Sequence, residues 1–302
     1  MTGSPTPNDT FQLRPTWAAR AKALGLLVSW VALWAALLAT TVYGMVHTGL
    51  LAASALHSAN PPDLRPGDFE RAHVALAVVT ILATVIMTRL TRERLTRFGF
   101  APRGAGRDLL IGLVTGLVLM SGTLALMAAT GVFEFGHVAL AADRIALQAI
   151  KYALLIVLAA VTEELMFRSF TLVQLSRAVS FWPAAALVSG LFLLSHTANL
   201  GENPLGLLAA GAVGLILSWS FWRTGALWFA IGFHAAWDYA ESFLFGVPDS
   251  GGVLPDALMH PSVHGPDWLT GGAAGPEGSV LAYAALLLLA LVVRFVLPRR
   301  EA

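Results

Sequence analysis

Residues 161–170 read VTEELMFRSF, and they continue the apolar run ALLIVLAA of 153–160 without a break. An acid or an arginine in the middle of a span costs about 2.5–3.5 kcal/mol even on insertion scales, so a stretch that keeps three of them has work for them. Reading outward, the composition identifies the solvent. Of 302 residues, 57% are hydrophobic and 12% charged, whereas a soluble domain carries about 25% charged residues. A span takes about 20 mostly apolar residues. Runs of that kind lie roughly at 23–45, 72–90, 109–129, 146–170, 182–197, 205–222, 226–246 and 278–297. The expected fold is all-α, a polytopic transmembrane bundle of about eight spans. It has a tail over 1–20 and a single transmembrane domain over 21–302, with the polar core at about 140–246.

The first run is too long for the apolar core of a signal peptide, which is about 7–15 residues. Cysteine is absent, which removes disulfides, thiolate nucleophiles and Cys-ligated metals. A net charge of +1 gives no reason to expect a nucleic-acid partner. The distribution of charge says more. Arg89, Arg92, Arg94, Arg97, Arg103 and Arg107 crowd the connection between runs 2 and 3, whereas 247–277 holds Asp249, Asp256, Asp267 and Glu277 and no Lys or Arg. The positive-inside rule puts the first in the cytoplasm and the second outside. Arg14, Arg20 and Lys22 before run 1, Arg177, Arg223, and Arg299 with Arg300 agree, so both termini are expected in the cytoplasm of a multi-pass cell-membrane protein. The Gly-, Pro- and Asp-rich segment 247–277 reads as a flexible external loop.

Ionisable residues inside the runs are few. Run 4 has Lys151, Glu163, Glu164 and Arg168, run 5 ends in His196, and run 7 holds His234, Asp238 and Glu241. At 1.5 Å per residue, Glu163 and His196 each lie roughly 22 Å from the turn near Ser180, so a hairpin brings them to one depth. His234 lies about 15 Å into run 7 from Arg223, close to the same level. Glu164 and Arg168 are spaced i,i+4 and can neutralise each other, which leaves Glu163 available. His234 and Asp238 share that spacing. A carboxylate base, histidines to hold water or an oxyanion, and an ion pair to hold the base form a kit for activating water.

Glu163-Glu164-x-x-x-Arg168, Phe192-x-x-x-His196 and His234-x-x-x-Asp238, in this order on successive helices, resemble the three motifs of the CPBP family. These are CAAX proteases and bacteriocin-processing enzymes, also called the abortive-infection family, whose eukaryotic members remove the last three residues of prenylated CAAX proteins. The resemblance implies an intramembrane endopeptidase acting on a membrane-associated or lipidated peptide or protein within the lipid bilayer. It implies Glu163 as the base, His196 as its partner in holding water, His234 and Asp238 as the oxyanion or metal side, and Glu164 with Arg168 as a structural pair. The family is named for metalloproteases, yet a metal-free glutamate mechanism has been argued for its eukaryotic branch, which has Asn where this chain has Asp238. An ionised Asp only accepts hydrogen bonds, so Asp238 is protonated, orients His234 or is a ligand. His196, His234 and Asp238 supply enough donors for a divalent metal such as Zn²⁺, although there is no HExxH motif.

Two other classes compete. Intramembrane acids and histidines also build proton-coupled carriers, but no matched pair of broken helices is visible here. A non-catalytic scaffold on the same fold is the other. A serine–histidine protease using Ser189 is a minor fourth reading, since Leu187 stands where its GxSG motif needs Gly. Lys151 is expected to snorkel to the outer interface and Glu241 to be an interfacial acid. His47, His57, His73, His137, His260 and His264 receive no role.

Overall fold

The structure, a computed structural model, describes residues 16–52, 67–199 and 201–298. Arg14 with most of the expected tail, His57, Arg299 and Arg300 lie outside the described residues. The chain forms α1 (Trp17–His47), α2 (Asp68–Leu90), α3 (Ala105–Ala129), α4 (Ala142–Glu164), α5 (Phe170–Val179), α6 (Phe181–His196), α7 (Pro204–Thr224), α8 (Trp228–Asp238), the short α9 (Asp267–Thr270) and α10 (Ala282–Phe295). Two strands, β1 (Phe133–Val138) and β2 (Met259–Val263), pair antiparallel. The expected all-α membrane bundle is therefore what forms, with one small sheet added.

Helices suit these runs because a helix satisfies every backbone polar group internally, which hydrocarbon demands. α1, α2, α3, the continuous stretch Ala142–Val179 and α7 are each long and apolar enough to cross a membrane. The remaining runs map onto the shorter α6 and α10 and onto α8 with the turn that follows it. Leu117, Val118, Leu154 and Leu287 stand exposed on the outer surface, as lipid-facing side chains do. Local signals set the ends. α7 opens with Pro204 at its first position and the Asn203 side chain accepting from the Gly206 N–H at 2.9 Å, and it closes on Gly225 in the left-handed conformation.

α8 is held by α3 at backbone contact. A Cβ on Gly112 would lie 2.3 Å from the Phe229 carbonyl oxygen, one on Gly116 would lie 2.3 Å from that of Phe233, and one on Gly232 would lie 2.4 Å from that of Leu109. Gly112 and Gly116 are four residues apart, the small-xxx-small spacing that lets two helix backbones meet. Met120, Leu124, Phe229, Phe233 and Leu289 form the core around that contact. A second core gathers Trp30, Phe98, Phe170, Phe181 and Phe221 near the Arg-rich connections.

Two expectations need correction. Segment 247–277 is folded: β2 pairs with β1, the Leu258 N–H donates to the Phe243 carbonyl at 2.8 Å, the Gly251 N–H to that of Ala274 at 3.1 Å, and Arg144 pairs with Asp256 at 2.8 Å. Its Gly, Pro and Asp residues make turns, and the turns find partners far away in sequence, which composition does not reveal. Lys151 is tied to Glu70 of α2 at 2.7 Å, an ion pair between helices, and does not reach outward alone.

Candidate active site

Glu163 and Glu164 end α4 where regular helix gives way to a π turn, Leu165–Ser169, before α5 resumes. Asp238 ends α8 in the same way, at a second π turn, Tyr239–Leu244. A π turn widens the helix by one residue and is frequent at functional sites. Both polar motifs stand at such junctions.

Glu164 is completely buried, and one of its oxygens serves two partners. Arg168 Nη1 donates to Oε1 at 2.8 Å, and His234 Nδ1 lies 3.1 Å from the same atom. Arg168 is buried too, with its guanidinium carbon 4.3 Å above the Phe192 ring. Both ring nitrogens face carboxylates, Nδ1 towards Glu164 and Nε2 towards Asp238 and Glu163, so both carry a proton, and Nε2 is the one turned away from Glu164. That nitrogen lies 3.5 Å from Asp238 Oδ2 and 3.7 Å from Glu163 Oε2. Glu164 thus makes the shorter contact with the ring, and Asp238 stands beside its other nitrogen.

His196 stands across the site with Nδ1 2.8 Å from the Phe192 carbonyl oxygen and its ring against Phe192, 4.5 Å between centroids. A carbonyl only accepts, so Nδ1 is the donor in that bond and Nε2 is left for another partner. Glu163, His196, His234 and Asp238 line one cavity of about 340 Å³, walled by Leu155 and Phe233 and floored by Asp249 and Glu277. Glu164 and Arg168 sit behind that wall. Ser189, buried and donating to the Ala185 carbonyl at 2.7 Å, makes no hydrogen bond with His234. His73 also lines the cavity, with Nδ1 2.9 Å from the Phe69 carbonyl oxygen.

The donors proposed for a metal do not converge. Among the described residues, the group of three acids or imidazoles whose donor atoms lie within 4.8 Å of one another is Glu241, Asp249 and Glu277, not His196, His234 and Asp238. Glu241 is buried, against the expectation of an interfacial acid. Burial and the neighbouring Glu277 push the Asp249 carboxyl up to about 7. The acids of 247–277 were visible in the sequence as a run without counter-charges. Nothing local says that two of them turn inward.

Residues 144–240 match the family model described as Rce1-like, type II CAAX prenyl endopeptidase Rce1-like. Over that interval, about a third of the chain, the sequence is similar to CAAX prenyl endopeptidases. The matched interval carries Glu163 through Asp238 and leaves α1, α2, α3 and α10 outside it. No curated protein and no solved structure matches the chain. The apolar helices, with this similarity, support a multi-pass membrane protein.

Proposed function

We propose that the chain is an intramembrane endopeptidase in which Glu163 activates a water against a peptide bond of a membrane-associated or lipidated substrate. The observation that carries the reading is the chain Arg168–Glu164–His234, whose first two members are fully buried and whose His234 lines the cavity with Nε2 3.7 Å from Glu163. Glu163, with 38% of its side chain exposed, is the carboxylate free to meet water there.

In this reading the lone pair on His196 Nε2 accepts one hydrogen of the water while Glu163 takes the other as a proton, and the oxygen adds to the substrate carbonyl. His234, donating Nδ1–H to Glu164, presents Nε2–H to the developing oxyanion. The proton held by Glu163 then passes to the departing amine, which regenerates the carboxylate. No step runs through a metal, because the His196, His234 and Asp238 donors are not gathered to hold one. The charge distribution supports a cell-membrane orientation with the Arg-rich connections and both termini in the cytoplasm.

Mapping cleavage sites by mass spectrometry in membranes containing the wild type or Glu163→Ala tests the activity. New peptide termini that need Glu163 are expected. Identical peptide maps would leave the scaffold reading in place.

A further inference from the structure

In the same cavity as Glu163 lies a second constellation that the proposed hydrolysis does not use. Glu241 comes from the π turn after α8, Asp249 from the loop beyond it, and Glu277 from the turn Pro276–Gly278 before α10. One oxygen of each lies within 4.8 Å of the others. Asp249 Oδ2 accepts from Ser242 Oγ at 2.8 Å, and Glu277 accepts from Trp237 Nε1 at 2.8 Å and from Ser250 Oγ at 2.9 Å. Glu241 is different. It is 0% exposed, and neither of its carboxylate oxygens has a hydrogen-bond partner. Three carboxyl groups gathered in a buried place stay ionised together only where something positive sits among them. None of the three forms an ion pair with Lys or Arg among the described residues, and 247–277 contains neither residue type.

The backbone leaves room at the same place. Gly275 has φ +94°, and a Cβ there would meet the Pro248 carbonyl oxygen at 1.9 Å and stand 3.4 Å from Glu241 Oε1. The Pro248 carbonyl and the Glu241 carboxyl therefore border one gap that only glycine leaves clear. The spacing also suits an ion: ligands of Ca²⁺ lie about 2.3–2.6 Å from it, so oxygens on one shell are separated by up to roughly 5 Å. Ligands that are all oxygen select hard cations over Zn²⁺.

We infer that Glu241, Asp249 and Glu277 form a binding site for a hard divalent cation of the Ca²⁺ class, built from other residues than the Glu163 and His234 centre it adjoins. Asp249 and Glu277 face the cavity, so the ion enters through it and water completes its shell. Bound there, it ties the segment after α8 and the turn before α10 to the helix that carries His234, since Trp237 donates to one of its ligands.

The test uses the full chain in detergent, stripped with chelator and titrated with Ca²⁺, and with Mn²⁺ as a spectroscopic probe. One saturable site and a rise in melting temperature are expected. Glu241→Gln should weaken binding by more than about tenfold, since even outer-shell changes cost 10–100-fold in affinity. In chelator, that variant should melt no lower than the wild type, because it replaces a buried carboxyl that has no hydrogen-bond partner beside two other acids. The double variant His196→Ala/His234→Ala should bind the ion as the wild type does. If Glu241→Gln does not fold, Asp249→Asn carries the comparison. Absence of binding, indifference to both carboxylate changes, or loss of binding in the histidine variant would overturn the site. None of these readouts depends on proteolysis.

Discussion

A single oxygen, Glu164 Oε1, carries more of the site than any other atom, because it neutralises a buried guanidinium and fixes an imidazole at once. Glu164→Gln should therefore do two kinds of damage. It leaves Arg168 as an uncompensated buried charge, which costs about 3–5 kcal/mol when one partner of a buried pair is removed, and it loosens His234. A large drop in melting temperature together with loss of activity is expected. Asp238→Asn is the contrasting change. Asp238 faces Nε2 at 3.5 Å, a longer contact than that of Glu164 with Nδ1, so the amide should fold normally and lose far less than the about 10²–10⁴-fold expected from removing a general base. A peptidase assay with thermal unfolding of both variants separates the two roles, and an inactive, well-folded Asp238→Asn protein would restore Asp238 to the chemistry. The acids and histidines themselves were legible because charge in an apolar run is rare. Their pairing was not, since helical spacing links Glu164 to Arg168 and His234 to Asp238 but cannot show a contact between two helices.

At the scale of elements, the glycines of α3 have unequal duties. Gly112 and Gly116 let the α8 backbone approach, whereas a Cβ on Gly122 of the same helix would meet nothing within 4 Å. Gly116→Ala should destabilise the protein by about 1–3 kcal/mol through overpacking and shift α8 with His234 on it. Gly122→Ala should be neutral or stabilising by up to about 1 kcal/mol, as alanine is the better helix former. Melting curves of the two variants make the comparison, and equal effects would mean that the close contact is not sustained. The spacing of Gly112 and Gly116 was readable in advance; its partner helix was not. The π turns were also beyond reach, because their sequences, LMFRS and YAESFL, have no composition that sets them apart from α-helix.

For the whole molecule, orientation is the open measurement. Arg103 precedes α3, whose 25 residues span about 37 Å, and β1 at its other end pairs with β2, just after Pro255. Reporter fusions after Arg103 and after Pro255 should report opposite sides of the membrane, and a common side would contradict the charge-based orientation. The fold class was plain from the eight apolar runs, but the cap over 247–277 was not, because turn-forming residues look alike whether or not distant strands receive them. The backbone seam between α3 and α8 has a consequence for the surrounding lipid. α8 is a passenger of a helix that crosses the bilayer, while Glu163 rides on α4. When bilayer thickness mismatches α3, the helix tilts at a cost of fractions of a kcal/mol per ångström, and His234 tilts with it. The bond from His234 to Glu164 on α4 resists that tilt, so peptide cleavage is expected to vary with the acyl-chain length of the host bilayer only where the mismatch strains this bond, which reconstitution in lipids of graded thickness would read.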